Sequence, residues 1–137
     1  MRETDKIRDK VVLVGLNSPV LGREETADED TLEELSALVE TAGGETVGIV
    51  LQNRNSPDPR TFIGEGKCAE VKLYCENTEA TMVIFDNDLS PSQLRVLTEL
   101  LGVQVLDRCG LILDIFAQRA RTREGRLQVE LAQYQYL

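Results

Sequence analysis

Residues 10–16 read KVVLVGL, a short continuous apolar run that closes on a glycine and a leucine. A strand covered on one face alternates apolar with polar side chains. An unbroken run belongs to a strand covered on both faces, as in a parallel sheet with helices on either side. The stretches around it fit that frame. Residues 17–29, with Pro19 and Gly22, are polar and read as a loop. Asp30 to Ala42 reads as a helix, with Asp30 as cap, Glu33 three positions on, and Leu32, Leu35, Leu38, Val39 and Ala42 on one face. Gly43-Gly44 then stops it. Glu45–Gln52 (ETVGIVLQ) is a second strand, Ala80–Asp86 (ATMVIFD) a third and Val103–Asp107 (VQVLD) a fourth.

Between strands two and three lies a long connection, Asn53 to Gly66, in which Thr61-Phe62-Ile63 is expected to form a short strand. A helix over Lys67–Asn77 follows, with Val71, Tyr74 and Cys75 inward. LSPSQLRVLTELLG (Leu89–Gly102) holds the clearest local signal. Ser90 caps, Pro91 is the first helical residue, Gln93 completes an S-x-x-Q box, Leu94, Leu97 and Leu101 face inward, and Gly102 ends the helix. The alternation of strand and helix predicts an α/β fold: a small open parallel sheet of about four strands with flanking helices. From Arg108 the pattern changes to two helices, apolar at Leu111, Ile112, Ile115 and Phe116, and then at Leu127, Leu131 and Tyr134. A turn near Arg121–Arg123, with Thr122 as cap of the second helix, predicts an antiparallel helical hairpin. The division expected is an α/β subdomain over 1–107 and a hairpin subdomain over 108–137, its second helix cut off in mid-pattern at Leu137 as in a fragment of a longer protein.

A chain of 137 residues with 42% apolar content is long enough to bury one core. It contains no apolar run of membrane-spanning length and no signal-peptide pattern at Met1–Lys6. The three cysteines, Cys68, Cys75 and Cys109, are odd in number and widely spaced, which fits a reducing cytoplasm and small buried side chains rather than a disulfide frame. Histidine is absent, which removes the commonest general base and zinc ligand, and no metal site is expected. Net charge is −9, yet residues 107–137 hold five arginines against four acidic side chains, and four of those arginines fall between Arg119 and Arg126.

Two stretches could carry chemistry, and no catalytic residue stands out. Gly64-Glu65-Gly66-Lys67 invites a phosphate-binding reading. A Walker A loop, G-x-x-x-x-G-K-[ST], would need glycine where Thr61 stands and a hydroxyl where Cys68 stands. A dinucleotide fingerprint would need glycine where Ala69 stands. What remains is a turn feeding a helix start, or an anion site built from Gly64, Gly66, the helix amides and Lys67. The second stretch, QRARTREGR (Gln118–Arg126), places Arg119, Arg121, Arg123 and Arg126 around Thr122 at the hairpin tip. Guanidinium groups suit phosphate contacts; the alternative is a solvated tip with pairs such as Arg123 and Glu124. Asp107 and Asp114 read as a helix cap and as an ion-pair partner of Arg108 or Arg119.

PDPRTFIGEGKCAE (Pro57–Glu70), LSPSQLRVL (Leu89–Leu97) and LDRCGLILDIFAQRARTREGRLQVELAQYQYL (Leu106–Leu137) together resemble the N-terminal region of HflX-type GTPases, from about Val11 to the last residue. The resemblance implies an α/β subdomain and a helical hairpin that precede a G domain. It implies as partners the large ribosomal subunit with its rRNA, and the G domain itself. The hairpin tip, here Arg119, Arg121, Thr122, Arg123 and Arg126, would meet that RNA. GTP and Mg2+ are expected in the G domain and no cofactor in these 137 residues, which carry neither a Walker A loop nor a guanine-specificity motif. Two other roles stay open: a nucleotide-binding module at Gly64–Lys67, and a structural domain that only regulates the G domain.

Overall fold

The computed structural model describes residues 8–122, and the side chains of residues 8–117. Its elements run β1 (Lys10–Asn17), α1 (Glu29–Thr41), β2 (Glu45–Asn53), α2 (Glu65–Thr78), β3 (Met82–Phe85), α3 (Pro91–Leu101), β4 (Gln104–Asp107) and α4 (Arg108–Thr122). The four strands form one all-parallel sheet in the order β2-β1-β3-β4. The α/β expectation therefore holds. The second helix of the predicted hairpin lies outside the described residues.

β1 is central, and its unbroken apolar run is explained by what covers it. Val12, Val14 and Leu16 face a cluster that includes Val71 and Cys75 of α2 and Leu97 and Leu101 of α3. Val11 and Leu13 face the opposite cluster, with Leu32, Leu35 and Val39 of α1 and Leu111 of α4. Val11 to Val14 and Leu16 are fully buried, and each such side chain is worth about 1.5–3 kcal/mol of apolar transfer. Gly15 is the exception for a steric reason. A Cβ there would stand 2.7 Å from the Cβ of Ala27 and about 3.2 Å from Leu32. That close approach lets the loop before α1 lie directly on the strand.

Local chemistry sets the helix ends. Ser90 accepts from the Gln93 amide while Gln93 accepts from the Ser90 amide, and Gly102 closes α3 at φ +73°. For α1 the cap is Asp28, two residues before the expected Asp30. Asp28 Oδ1 accepts from the Thr31 amide and Thr31 Oγ1 accepts from the Asp28 amide. The reciprocal box selects Asp28 because Thr31 stands three residues on and can answer it. Gly43, at φ +92°, follows the helix as expected. α2 starts two residues earlier than predicted, with Gly64 as its cap.

Three further expectations change. Thr61-Phe62-Ile63 forms only a single antiparallel bridge, Asp58 to Phe62, rather than a strand. Tyr74 is more than a third exposed: its ring lies over the backbone of Gly48 in β2, the edge strand of the described sheet. Cys109 is exposed, unlike Cys68 and Cys75, because the buried face of α4 runs through Leu111 and position 109 points about 200° away from it. No described helix is long and apolar enough to cross a membrane.

Gly15→Ala is expected to destabilise the fold by about 1–3 kcal/mol in urea titration through overpacking. Adding Ala27→Gly should recover part of that loss. Additive losses in the double variant would contradict the Gly15–Ala27 contact as the cause.

Candidate functional site

In a sheet of order 2-1-3-4 the usual ligand crevice lies beyond the carboxyl ends of β1 and β3, where the winding reverses. Here the chain fills it. Asn87, 2% exposed, accepts from the Leu16 amide at 2.9 Å and donates to the Leu16 carbonyl at 3.1 Å and the Glu25 carbonyl at 2.8 Å. The Ala27 amide also donates to Leu16. The 18–27 loop is thereby folded over the strand ends. Ser18, buried beneath it, donates to the Asn55 carbonyl. Beside it an open polar depression of about 680 Å³ lies at the ends of β1 and β2, lined by Asn17, Asn53, Arg54, Asn55 and Ser56.

The long 53–66 connection is ordered by its own contacts. Asp58 Oδ1 accepts from the amides of Arg60 and Thr61 at 2.8 and 3.0 Å. The Thr61 amide above all, then that of Arg60, holds the Asp58 carboxyl below its ordinary pKa. Phe62, at φ +67°, is turned into the core, where its ring meets Phe85 edge to face with centroids 6.5 Å apart. Thr61 is wholly buried and donates to the Ile63 carbonyl.

This turn delivers the chain to Gly64, whose amide donates to Gln52 Oε1 at 3.0 Å. Gly64 and Gly66 thus do sit at the start of α2, and a Cβ at Gly66 would meet nothing within 4 Å. Lys67 is engaged by Glu70 at 2.6 Å, and Glu65 occupies the first turn. Arg54 lies beside Gly64, and its Nη1 is buried without a hydrogen-bond partner among the described residues. Burial pushes the Cys68 and Cys75 thiols up, away from the reactive thiolate. Among the described residues no group of three potential metal ligands gathers. The crevice between the ends of β1 and β3 is occupied by the chain, and α2 begins after an ordered turn rather than a Walker A loop.

The arginine cluster is only partly within view. Arg119, Arg121 and Thr122 belong to the last turns of α4, at the end remote from the sheet. Arg123 and Arg126 lie outside the described residues. Asp107 accepts from the Gly110 amide, as the capping expectation requires. Arg108 pairs with Asp86 and not with Asp114, because both stand at neighbouring strand ends. Asn87 and Arg54 were not singled out from sequence, and Arg108 was considered only as a partner of Asp114. Only the polar triplet Asp86-Asn87-Asp88 after an apolar strand hints at the first.

Residues 29–117 match the family model described as GTP-binding GTPase N-terminal. The chain belongs to the GTP-binding GTPase N-terminal family, as an N-terminal domain of HflX type. The GTPase HflX of Caldanaerobacter subterraneus is 43% identical over 137 residues, covering 99% of this chain and 30% of its own length. That of Escherichia coli is 50% identical over 110 residues, covering 80% of this chain and 26% of its own length. This HflX-type domain thus spans less than a third of the length of each of these two relatives. A crystal structure of a GTP-binding protein from the archaeon Sulfolobus solfataricus, in complex with GDP, superposes with a TM-score of 0.65 at 27% identity, over 93% of this chain and 36% of that one.

Because Asp58 has a lowered pKa when folded, its contribution to stability is present above the ordinary carboxylate range and lost as pH falls through the folded value, below about pH 4. Asp58→Asn is therefore expected to lower stability at pH 7 and to flatten the acid limb of urea midpoints measured from pH 7 to 3. An acid limb as steep as the parent's would contradict this role.

Proposed function

We propose that this HflX-type domain binds the large ribosomal subunit, and that arginines at the far end of α4 make its contacts to ribosomal RNA. The observation that carries the reading is where the positive charge lies. The chain has a net charge of −9, yet four arginines fall within eight residues. The first two stand in the last turns of α4, roughly 16 to 20 Å along the helix from Arg108 at about 1.5 Å per residue. Arginine forks bind phosphate oxygens in pairs, and an otherwise acidic body repels RNA everywhere else. The cluster therefore sets the orientation of docking as well as its strength.

The α/β body acts in this reading as the support of α4 and as the regulatory neighbour of a G domain elsewhere in the whole protein. GTP binding and hydrolysis, with Mg2+, would belong to that G domain, and the whole protein would act on ribosomes in the cytoplasm, by splitting or rescue under stress. The names of the HflX relatives and the GDP complex of the archaeal protein support a guanine-nucleotide enzyme. The start of α2 is not needed as a nucleotide site. An anion there would compete with Glu65 for the helix end and with Glu70 for Lys67.

Binding of the full-length protein to purified large subunits, followed by sedimentation over a range of salt, tests the reading. Changing Arg119, Arg121, Arg123 and Arg126 together to alanine is expected to weaken binding. The slope of log affinity against log salt should fall by about three to four, near one per lost phosphate contact. Unchanged affinity and slope would overturn the assignment.

A further inference from the structure

α4 leaves the sheet at a polar junction that its apolar contacts do not explain. Arg108, its first residue, donates from Nε to Asp86 Oδ1 at 2.8 Å and from Nη2 to the same oxygen, and Nη2 also donates to the Thr31 carbonyl at 2.9 Å. Asp86 follows the end of β3 and its side chain is 3% exposed, against 28% for Arg108. Thr31 lies in the first turn of α1. One guanidinium thus joins α4 to β3 and α1. The preceding residue adds a third tie: Asp107 Oδ2 accepts from the Leu89 amide before α3, while Oδ1 accepts from the Gly110 amide in α4.

The apolar seat of α4 is narrow by comparison. Leu111 is buried and Ile115 packs against the same cluster, whereas Ile112 and Leu113 are 37% and 38% exposed. Apolar burial is non-directional, so Leu111 and Ile115, which among the described residues seat α4 on that cluster, do not by themselves fix its direction. A charge-assisted pair with two donor nitrogens is directional, and inside a nearly buried setting breaking it is costly.

We infer that the Asp86–Arg108–Thr31 junction is a clamp that fixes the direction of α4 relative to the α/β body, making the helix a rigid lever whose far end moves with the sheet. Arg108 is a positioning residue in this scheme and has no part in any contact of the lever's tip. The clamp and the RNA reading fail separately, since the lever's direction is measured without RNA.

The test uses pulsed electron–electron spin distances on the 137-residue chain in a Cys109→Ser background, Cys68 and Cys75 being buried. One label pair joins α2 to α4, at Leu73→Cys and Ala120→Cys. A control pair joins α2 to α3, at Leu73→Cys and Leu100→Cys; Leu73 and Leu100 are both exposed. Arg108→Met, which keeps the stem without the charge, and Asp86→Asn are expected to shift and broaden the 73–120 distances. The 73–100 distances and the far-ultraviolet circular dichroism should stay as in the parent. Arg108→Lys, which keeps the charge but not the fork, should give a smaller shift of the same kind. An unchanged 73–120 distribution in a folded Arg108→Met or Arg108→Lys chain would overturn the clamp, leaving Leu111 to set the direction. Collapse of the control distances in both would overturn it too, because Arg108 would then hold the body together rather than aim α4.

Discussion

The carboxamide of Asn87 satisfies both backbone polar groups of Leu16 and the carbonyl of Glu25 from a position that water does not reach. Left unpaired, each of those groups would cost on the order of 1–3 kcal/mol. One side chain at the end of β3 therefore holds the end of β1 and the 18–27 loop against each other. The packing of Ala27 on Gly15 depends on the same arrangement. So does the position of Asp28, the residue that starts α1, because it directly follows that contact. The consequence for function is that the crevice in which doubly wound sheets usually hold ligands is occupied by the protein itself.

With that crevice filled, the carboxyl edge of the sheet serves as an anchorage. Asp86 and Asp107, at the ends of adjacent strands, take the base of α4 and the loop before α3. Lower on the same side of the chain's path, the 53–66 segment is locked by Phe62 in the core and by the Asp58 turn. Apart from the local Asp58 turn, each device joins parts of the chain far apart in sequence. Such a body is suited to holding a helix at a fixed angle, and in the RNA-binding reading proposed above the arginines at the distal end of that helix are what it holds out.

Much of this was legible in the sequence because local signals and the global pattern agree. KVVLVGL could only be a strand covered on both faces, and the Ser90–Gln93 box fixed α3 to the residue. At α1, reading the first turn for Glu33 favoured Asp30 as the cap, whereas the cap is Asp28 and the side chain that answers it is Thr31. Tyr74 was read as inward from helical periodicity, which carries no information that its neighbour would be an edge-strand glycine. The contacts of Asn87 and Arg108 were invisible for a related reason. Their partners lie 71 and 77 residues away for Leu16 and Thr31, and 22 for Asp86. The left-handed Phe62 runs against local preference and is held there by the Asp58–Phe62 bridge and by packing on Phe85. The arginine cluster was plain as composition, and its meaning came from the family.

In this domain as proposed, the body supports and the end of α4 binds. Ultraviolet cross-linking of the full-length protein to purified large ribosomal subunits, with the linked peptides mapped by mass spectrometry, tests this most directly. Cross-links to ribosomal RNA are expected within residues 119–126. Cross-links confined to the 53–66 segment and the start of α2, with none in 119–126, would contradict it.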